Sequence, residues 1–193
     1  MNAGLPLQGN DTPPMDYRFL FLQPQGRLAP APFARGLILL TGAMMILTIL
    51  SAIVSPNLGI LQYTLVFPYL SLFAKRLHDA GLSAWFWIAF LLGFSVVNMI
   101  LSALLLPVLS PGAFAVQVEV QKLMETSGFV AAFESLAERA AEYARLSVVT
   151  SVAAFLLASG LTGFAAYRMR TDPQPNRHGR PADHGPGAAD TFT

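Results

Sequence analysis

Three stretches of the chain carry no charged side chain: residues 36–74, 80–118 and 146–167, which are 39, 39 and 22 residues long. A helix rising about 1.5 Å per residue needs about 20 residues to cross a hydrocarbon layer about 30 Å thick. Each of the two long stretches must therefore turn back or leave the membrane partway. In the first, Ser55-Pro56-Asn57 is a turn signal in the right place, which predicts spans over 36–54 and 58–74. The second spans 84–106 and is stopped by Pro107 and then Pro111-Gly112, and the third spans 146–167. Pro68 predicts a kink in the short second span, for which a re-entrant loop is the alternative. The expected fold is all-α and integral to the membrane, with four transmembrane helices and an amphipathic extracytoplasmic segment between the third and fourth.

Outside the spans the pattern changes. Residues 1–16 are polar and rich in Gly and Pro, with no charged start followed by an apolar core, and read as a disordered N-terminus rather than a cleavable signal peptide. Residues 17–35 mix Tyr17, Phe19, Phe21 and Phe33 with Arg18, Arg27 and Arg35, while Pro24, Pro30 and Pro32 forbid one continuous helix. That predicts an interfacial segment with its arginines near lipid phosphates; the alternative has Arg27 turning inward to pair with Asp79. Residues 171–193 are Pro- and Gly-rich and read as a disordered tail. In the long connection, Phe129, Phe133, Leu136, Ala140 and Ala144 recur at helical spacing, with Glu134, Glu138, Arg139, Glu142 and Arg145 mostly on the other side. Val116, Val118 and Val120 alternate like a strand, but a lone strand has no partner, so a helix is expected there too.

Composition narrows the functional classes. The chain is 54% hydrophobic and 12% charged, with net charge +1 and no cysteine, which excludes a nucleic-acid partner, a disulfide scaffold and disorder throughout. Four crossings put both termini on one side with Arg18, Arg27, Arg35, Lys75, Arg76, Arg168, Arg170, Arg177 and Arg180. The other side has Lys122, Arg139 and Arg145. Nine against three predicts cytoplasmic termini.

The densest chemistry is Lys75-Arg76-Leu77-His78-Asp79-Ala80-Gly81-Leu82-Ser83. Much of it serves a helix end: cations meet the negative end of the dipole, Gly81 suits a left-handed cap, Ser83 suits an N-cap, and Lys75 with Asp79 is spaced for an i,i+4 pair. The same cluster at headgroup level, with Arg27, is a candidate site for an anionic lipid phosphate or a protein partner. His78 beside Asp79 is half of a general-base arrangement without a matching nucleophile.

These residues carry a resemblance. Lys75-Arg76-Leu77-His78-Asp79 followed by Gly81, Ser83 and Trp85, with Phe19-Leu20-Phe21, Gly26-Arg27 and Phe33 upstream, resembles the bacterial inner-membrane family described as domain of unknown function 805. The likeness covers residues 17–167. Pro30 stands where the family usually has a second arginine, and Ala84 and Phe86 replace its usual Gly and second Trp. The resemblance implies a four-helix bacterial inner-membrane protein and carries no activity with it.

No Asp, Glu, Lys, Arg or His side chain lies inside the four predicted spans, which argues against ion-coupled transport. Gln62 and Asn98 are candidate interhelical hydrogen-bond partners, and Ser159 with Gly163 is spaced to admit a neighbouring helix. His178 and His184 lack the shell a metal needs. No catalytic, cofactor or metal-ligating residue is assigned. The leading expectation is a non-enzymatic protein binding anionic lipid headgroups or another membrane protein through Arg27, Lys75, Arg76, His78 and Asp79. The alternatives are a small transporter or channel for a neutral or weakly polar solute, lined by Gln62, Tyr63, Thr64 and Asn98, and last a membrane-embedded enzyme acting on lipid.

Overall fold

The computed structural model describes residues 16–181; the predicted disorder of residues 1–15 and 182–193, and His184 with it, lies outside the described residues. The architecture is all-α: α1 (Tyr17–Leu22), α2 (Pro30–Ile53), a 3-10 helix (Pro56–Leu65), α3 (Val66–Asp79), a 3-10 turn (Ala84–Phe86), α4 (Trp87–Leu109), α5 (Pro111–Glu138) and α6 (Ala140–Tyr167). Four segments are long and apolar enough to cross a membrane: Pro30–Ile53, Pro56–Asp79, Ala84–Leu109 and Ala140–Tyr167. Both described chain ends therefore lie at one end of the bundle, called the terminal end below.

The second span corrects the predicted limits of 58–74. Residues 56–65 wind as a 3-10 helix, which rises about 2 Å per residue. With α3 the segment reaches about 41 Å, enough to cross. Pro68 sits in the first turn of α3, next to the point where the 3-10 winding gives way to α. The first span likewise begins earlier than 36, at Pro30, because a proline at the first helical position lacks only an amide the helix would leave unused.

The predicted helix near residues 115–125 is present as part of α5, which breaks at Gly128, where φ is 86° and ψ 176°. The predicted amphipathic run 129–145 and the span 146–167 are redistributed: the chain turns at Arg139, and α6 starts at Ala140. Arg139 Nη1 lies 2.6 Å from Glu119 and its Nε 2.9 Å from Glu142, tying this connection together. Those two carboxylates raise the guanidinium's proton affinity further above its usual value.

Small residues set the helix crossings. Ala154, Ala158, Gly163 and Ala166 of α6 are buried. A Cβ built on Gly163 would collide with Leu37 Cδ2 of α2, and one on Gly36 would come within 2.8 Å of Leu72 Cδ1 of α3. The largest apolar core lies at the terminal end, where Phe19, Leu20 and Leu28 fold back onto Phe33, Leu40, Leu72 and Ala166. Gln62 Nε2 donates to Thr48 Oγ1 at 3.2 Å, linking the second span to the first. Asn98 does not form the expected interhelical bond: its Oδ1 is buried without a partner among the described residues. Ser95, its neighbour one turn earlier, turns its hydroxyl back onto the Leu91 carbonyl of its own helix.

Candidate functional site

Four ionisable residues close α3, and at about 100° per residue they leave the helix in different directions. The turn that follows is a Schellman cap: Leu82 N–H donates to the Leu77 carbonyl at 2.9 Å and Gly81 N–H to the His78 carbonyl at 3.1 Å. Gly81 has φ 73°, and Asp172 packs against the place a Cβ would occupy. Ser83 forms no side-chain cap.

Lys75 and Arg76 cap helices other than their own. A helix leaves its last four carbonyls without amide partners. Lys75 Nζ takes the Leu20 carbonyl of α1 at 2.8 Å, and that of Phe19, and sits 4.3 Å from the centre of the Phe19 ring. Arg76 Nε takes the Ala166 carbonyl at 3.0 Å and its Nη2 those of Tyr167 and Met169, closing the end of α6. The expected Lys75–Asp79 pair does not form, since α1 draws the ammonium away.

Asp79 is instead the centre of the site. Its Oδ1 accepts from Arg27 Nε at 3.1 Å, and its Oδ2 accepts from Arg76 Nη1 at 2.6 Å and Thr171 Oγ1 at 2.8 Å. Its backbone carbonyl accepts from Arg27 Nη2 at 3.1 Å and from the Asp172 amide at 2.8 Å. Arg27 is completed by the Gln174 carbonyl at 2.9 Å, the Asp172 carbonyl and a longer contact of 3.5 Å to the Gly179 carbonyl. Interfacial anchoring of Arg27 is thus corrected in favour of the inward pairing. One carboxylate cannot saturate two five-donor guanidinium groups, and the chain supplies the remaining acceptors as backbone carbonyls.

For Arg27, three of them (Asp172, Gln174 and Gly179) come from a segment the composition marks as disordered. Residues 171–181 lie against the turn. Asn176 and Gly179 exchange backbone bonds of 3.1 and 3.0 Å. Asn176 Nδ2 reaches the His78 carbonyl at 3.2 Å and Asp172 Oδ2 at 3.1 Å, and bonds from the Gln174 amide and Asn176 hold the Asp172 carboxyl below its usual range. His78 Nδ1 meets the Gly26 carbonyl at 3.1 Å, and its ring stacks on His178 at 3.6 Å and 7°. Partial burial, then the charges of His78, Arg177 and Arg27, lower the proton affinity of His178. Thr171, Asp172, Gln174, Asn176 and His178 are therefore members of the site that the sequence reading leaves out. The available signal is the donor count, which demands acceptors from elsewhere.

Arg27, Lys75, Arg76, His78 and Asp79 are all buried, and together they clasp the lead-in segment, the α3–α4 turn and the C-terminal segment. Gln62 bonds Thr48, Thr64 bonds the Leu61 carbonyl, and Tyr63 is exposed, and none of them, nor Asn98, lines the cavity between the helices. Among the described residues no group of three or more His, Asp or Glu side chains is placed to hold a metal.

No family model, curated protein or solved structure matches the chain.

Proposed function

We propose that this chain is a non-enzymatic, multi-pass protein of the bacterial inner membrane, with cytoplasmic termini, that binds anionic lipid headgroups at the face organised by the 75–79 turn. The supporting observation is the division of labour among its cations. Arg27, Lys75 and Arg76 are buried and build the clasp, whereas Arg18, Arg35, Arg168, Arg170, Arg177 and Arg180 stay exposed on the elements it gathers. Tyr17, Leu22, Trp85 and Phe86 are exposed on the same elements, the mixture of aromatic and basic groups suited to headgroup depth. Lys75, Arg76, His78 and Asp79 are in this reading positioning residues, and the phosphates meet the outer arginines.

The test is native mass spectrometry of the full chain released from phosphatidylglycerol-containing membranes. Replacing Arg18, Arg168 and Arg170 by Gln should strip co-purifying anionic lipid while leaving helical content unchanged. Undiminished lipid on a folded triple variant overturns the proposal; retention of a protein partner instead favours docking to another membrane protein. A transporter lined by Gln62, Tyr63, Thr64 and Asn98, and an enzyme using His78 and Asp79, have less support. None of the former lines the cavity between the helices, and the latter are occupied by Gly26, His178 and two arginines.

A further inference from the structure

Within the bundle, between α2, α3, α4 and α6, lies a cavity of about 170 Å³. Its cause is steric. Gly163 and Gly36 let α2 approach α6 and α3 closely, and α4 packs closely along α6 with Phe94 against Phe155, but α3 meets α4 chiefly through the Phe73 and Phe90 rings, 5.4 Å apart. That ring pair holds α3 off α4 and leaves space between them. Six aromatic side chains line it: Tyr69, Phe73, Trp87, Phe90, Phe94 and Phe155.

One polar group there stands out. Ser159 lines the cavity and is 6% exposed, yet its hydroxyl has no hydrogen-bond partner among the described residues. A helical Ser or Thr commonly returns its hydroxyl to the carbonyl four residues back, as Thr48, Ser95 and Thr162 do in this protein. Thr162 and Tyr69, the cavity's other hydroxyls, are partnered by the Ala158 carbonyl and by Thr41. Ser159 is thus a spare donor in an uncharged, aromatic chamber.

We propose that this cavity binds a flat, uncharged six-membered ring carrying a carbonyl oxygen, the head-group chemistry of a membrane quinone, with Ser159 donating to that oxygen. Size fits: a dry apolar cavity of about 150 Å³ is known to admit benzene. Charge fits, since no ionised group lines the chamber. Depth separates a ring from the other abundant occupant, a lipid acyl chain. Ser159 lies about 12 Å along α6 from Tyr167, below the level at which a phospholipid ester carbonyl sits, so the acceptor must belong to a molecule whose ring itself enters the hydrocarbon.

Trp87 lines the cavity and serves as the reporter, whereas Trp85 is 75% exposed. The full chain carrying Trp85→Phe, in lipid nanodiscs, is titrated with a short-tailed benzoquinone while Trp87 fluorescence is read. Saturable quenching is expected, weakened about two- to tenfold by Ser159→Ala, the worth of one neutral hydrogen bond, and abolished by Ser159→Leu, which fills the space. Linear quenching without saturation, as from quinone merely dissolved in lipid, overturns the proposal. So does saturation unchanged in folded Ser159→Ala. Equal displacement of the quinone by a fatty-acid methyl ester assigns the chamber to acyl chains and overturns the ring.

Discussion

Arg27 and Asp79, 52 residues apart in sequence, meet at 3.1 Å with both side chains withdrawn from solvent. Breaking a buried pair by removing one partner costs about 3–5 kcal/mol, because the remaining charge is left uncompensated. Asp79→Asn leaves two guanidinium groups, Arg27 and Arg76, facing a neutral amide. A loss of stability of that order is expected, read as a lower midpoint in detergent or denaturant unfolding. The variant should also expose residues 171–181 to protease, since one amide oxygen must replace two carboxylate oxygens that accept from Arg27, Arg76 and Thr171.

Lys75 and Arg76 are adjacent but should fail in different places. Lys75→Met frees the Phe19 and Leu20 carbonyls, and Arg76→Met frees those of Ala166, Tyr167 and Met169. Unmet buried carbonyls cost about 1–3 kcal/mol each at most. Hydrogen exchange should accelerate over residues 17–22 in the first variant and over 164–170 in the second. Acceleration of both segments in both variants would mean that the clasp acts as one unit rather than as two caps.

The four spans are legible in the sequence because hydrocarbon excludes charge, and residues 36–74, 80–118 and 146–167 record that exclusion directly. Gly81 is legible for a related reason: only a residue without Cβ adopts φ 73° without strain. The convergence on Asp79 is only half legible. Arg27, Arg76 and Asp79 advertise themselves as charges, but most of the groups that satisfy them are backbone carbonyls, and a carbonyl looks the same at every residue. Residues 171–181 thus read as disorder from their Pro and Gly content, although what they contribute is their main chain. The 3-10 winding of residues 56–65 leaves no mark in composition either.

Acid should loosen the C-terminal segment. His178 binds its proton less readily here than its ordinary value of 6.5, chiefly through burial and then through the charges of His78, Arg177 and Arg27. The unfolded or detached segment therefore binds more protons, so attachment strengthens as pH rises and is lost as pH falls below about 6.5 toward the lowered value. Asp172, whose affinity is also lowered, adds attachment above its ordinary 3.8 and loses it only in stronger acid. Limited proteolysis of residues 171–181 should be faster at pH 5.5 than at 7.5, and His178→Phe should flatten that difference.

The crossing of α2 and α6 depends on what Gly163 lacks. A methyl group there would overlap Leu37 Cδ2, whereas nothing lies within 4 Å of a Cβ on Gly42, Gly93 or Gly160. Gly163→Ala should therefore destabilise by about 1–3 kcal/mol through overpacking. Alanine at Gly42, Gly93 or Gly160, each inside a helix, should be neutral or stabilising by up to about 1 kcal/mol. Pairing Gly163→Ala with Leu37→Ala removes the colliding methyl and should recover part of the loss, a coupling that a double-mutant cycle in detergent unfolding measures. Additive losses would show that Leu37 can step aside and that the close approach of the two helices is held elsewhere.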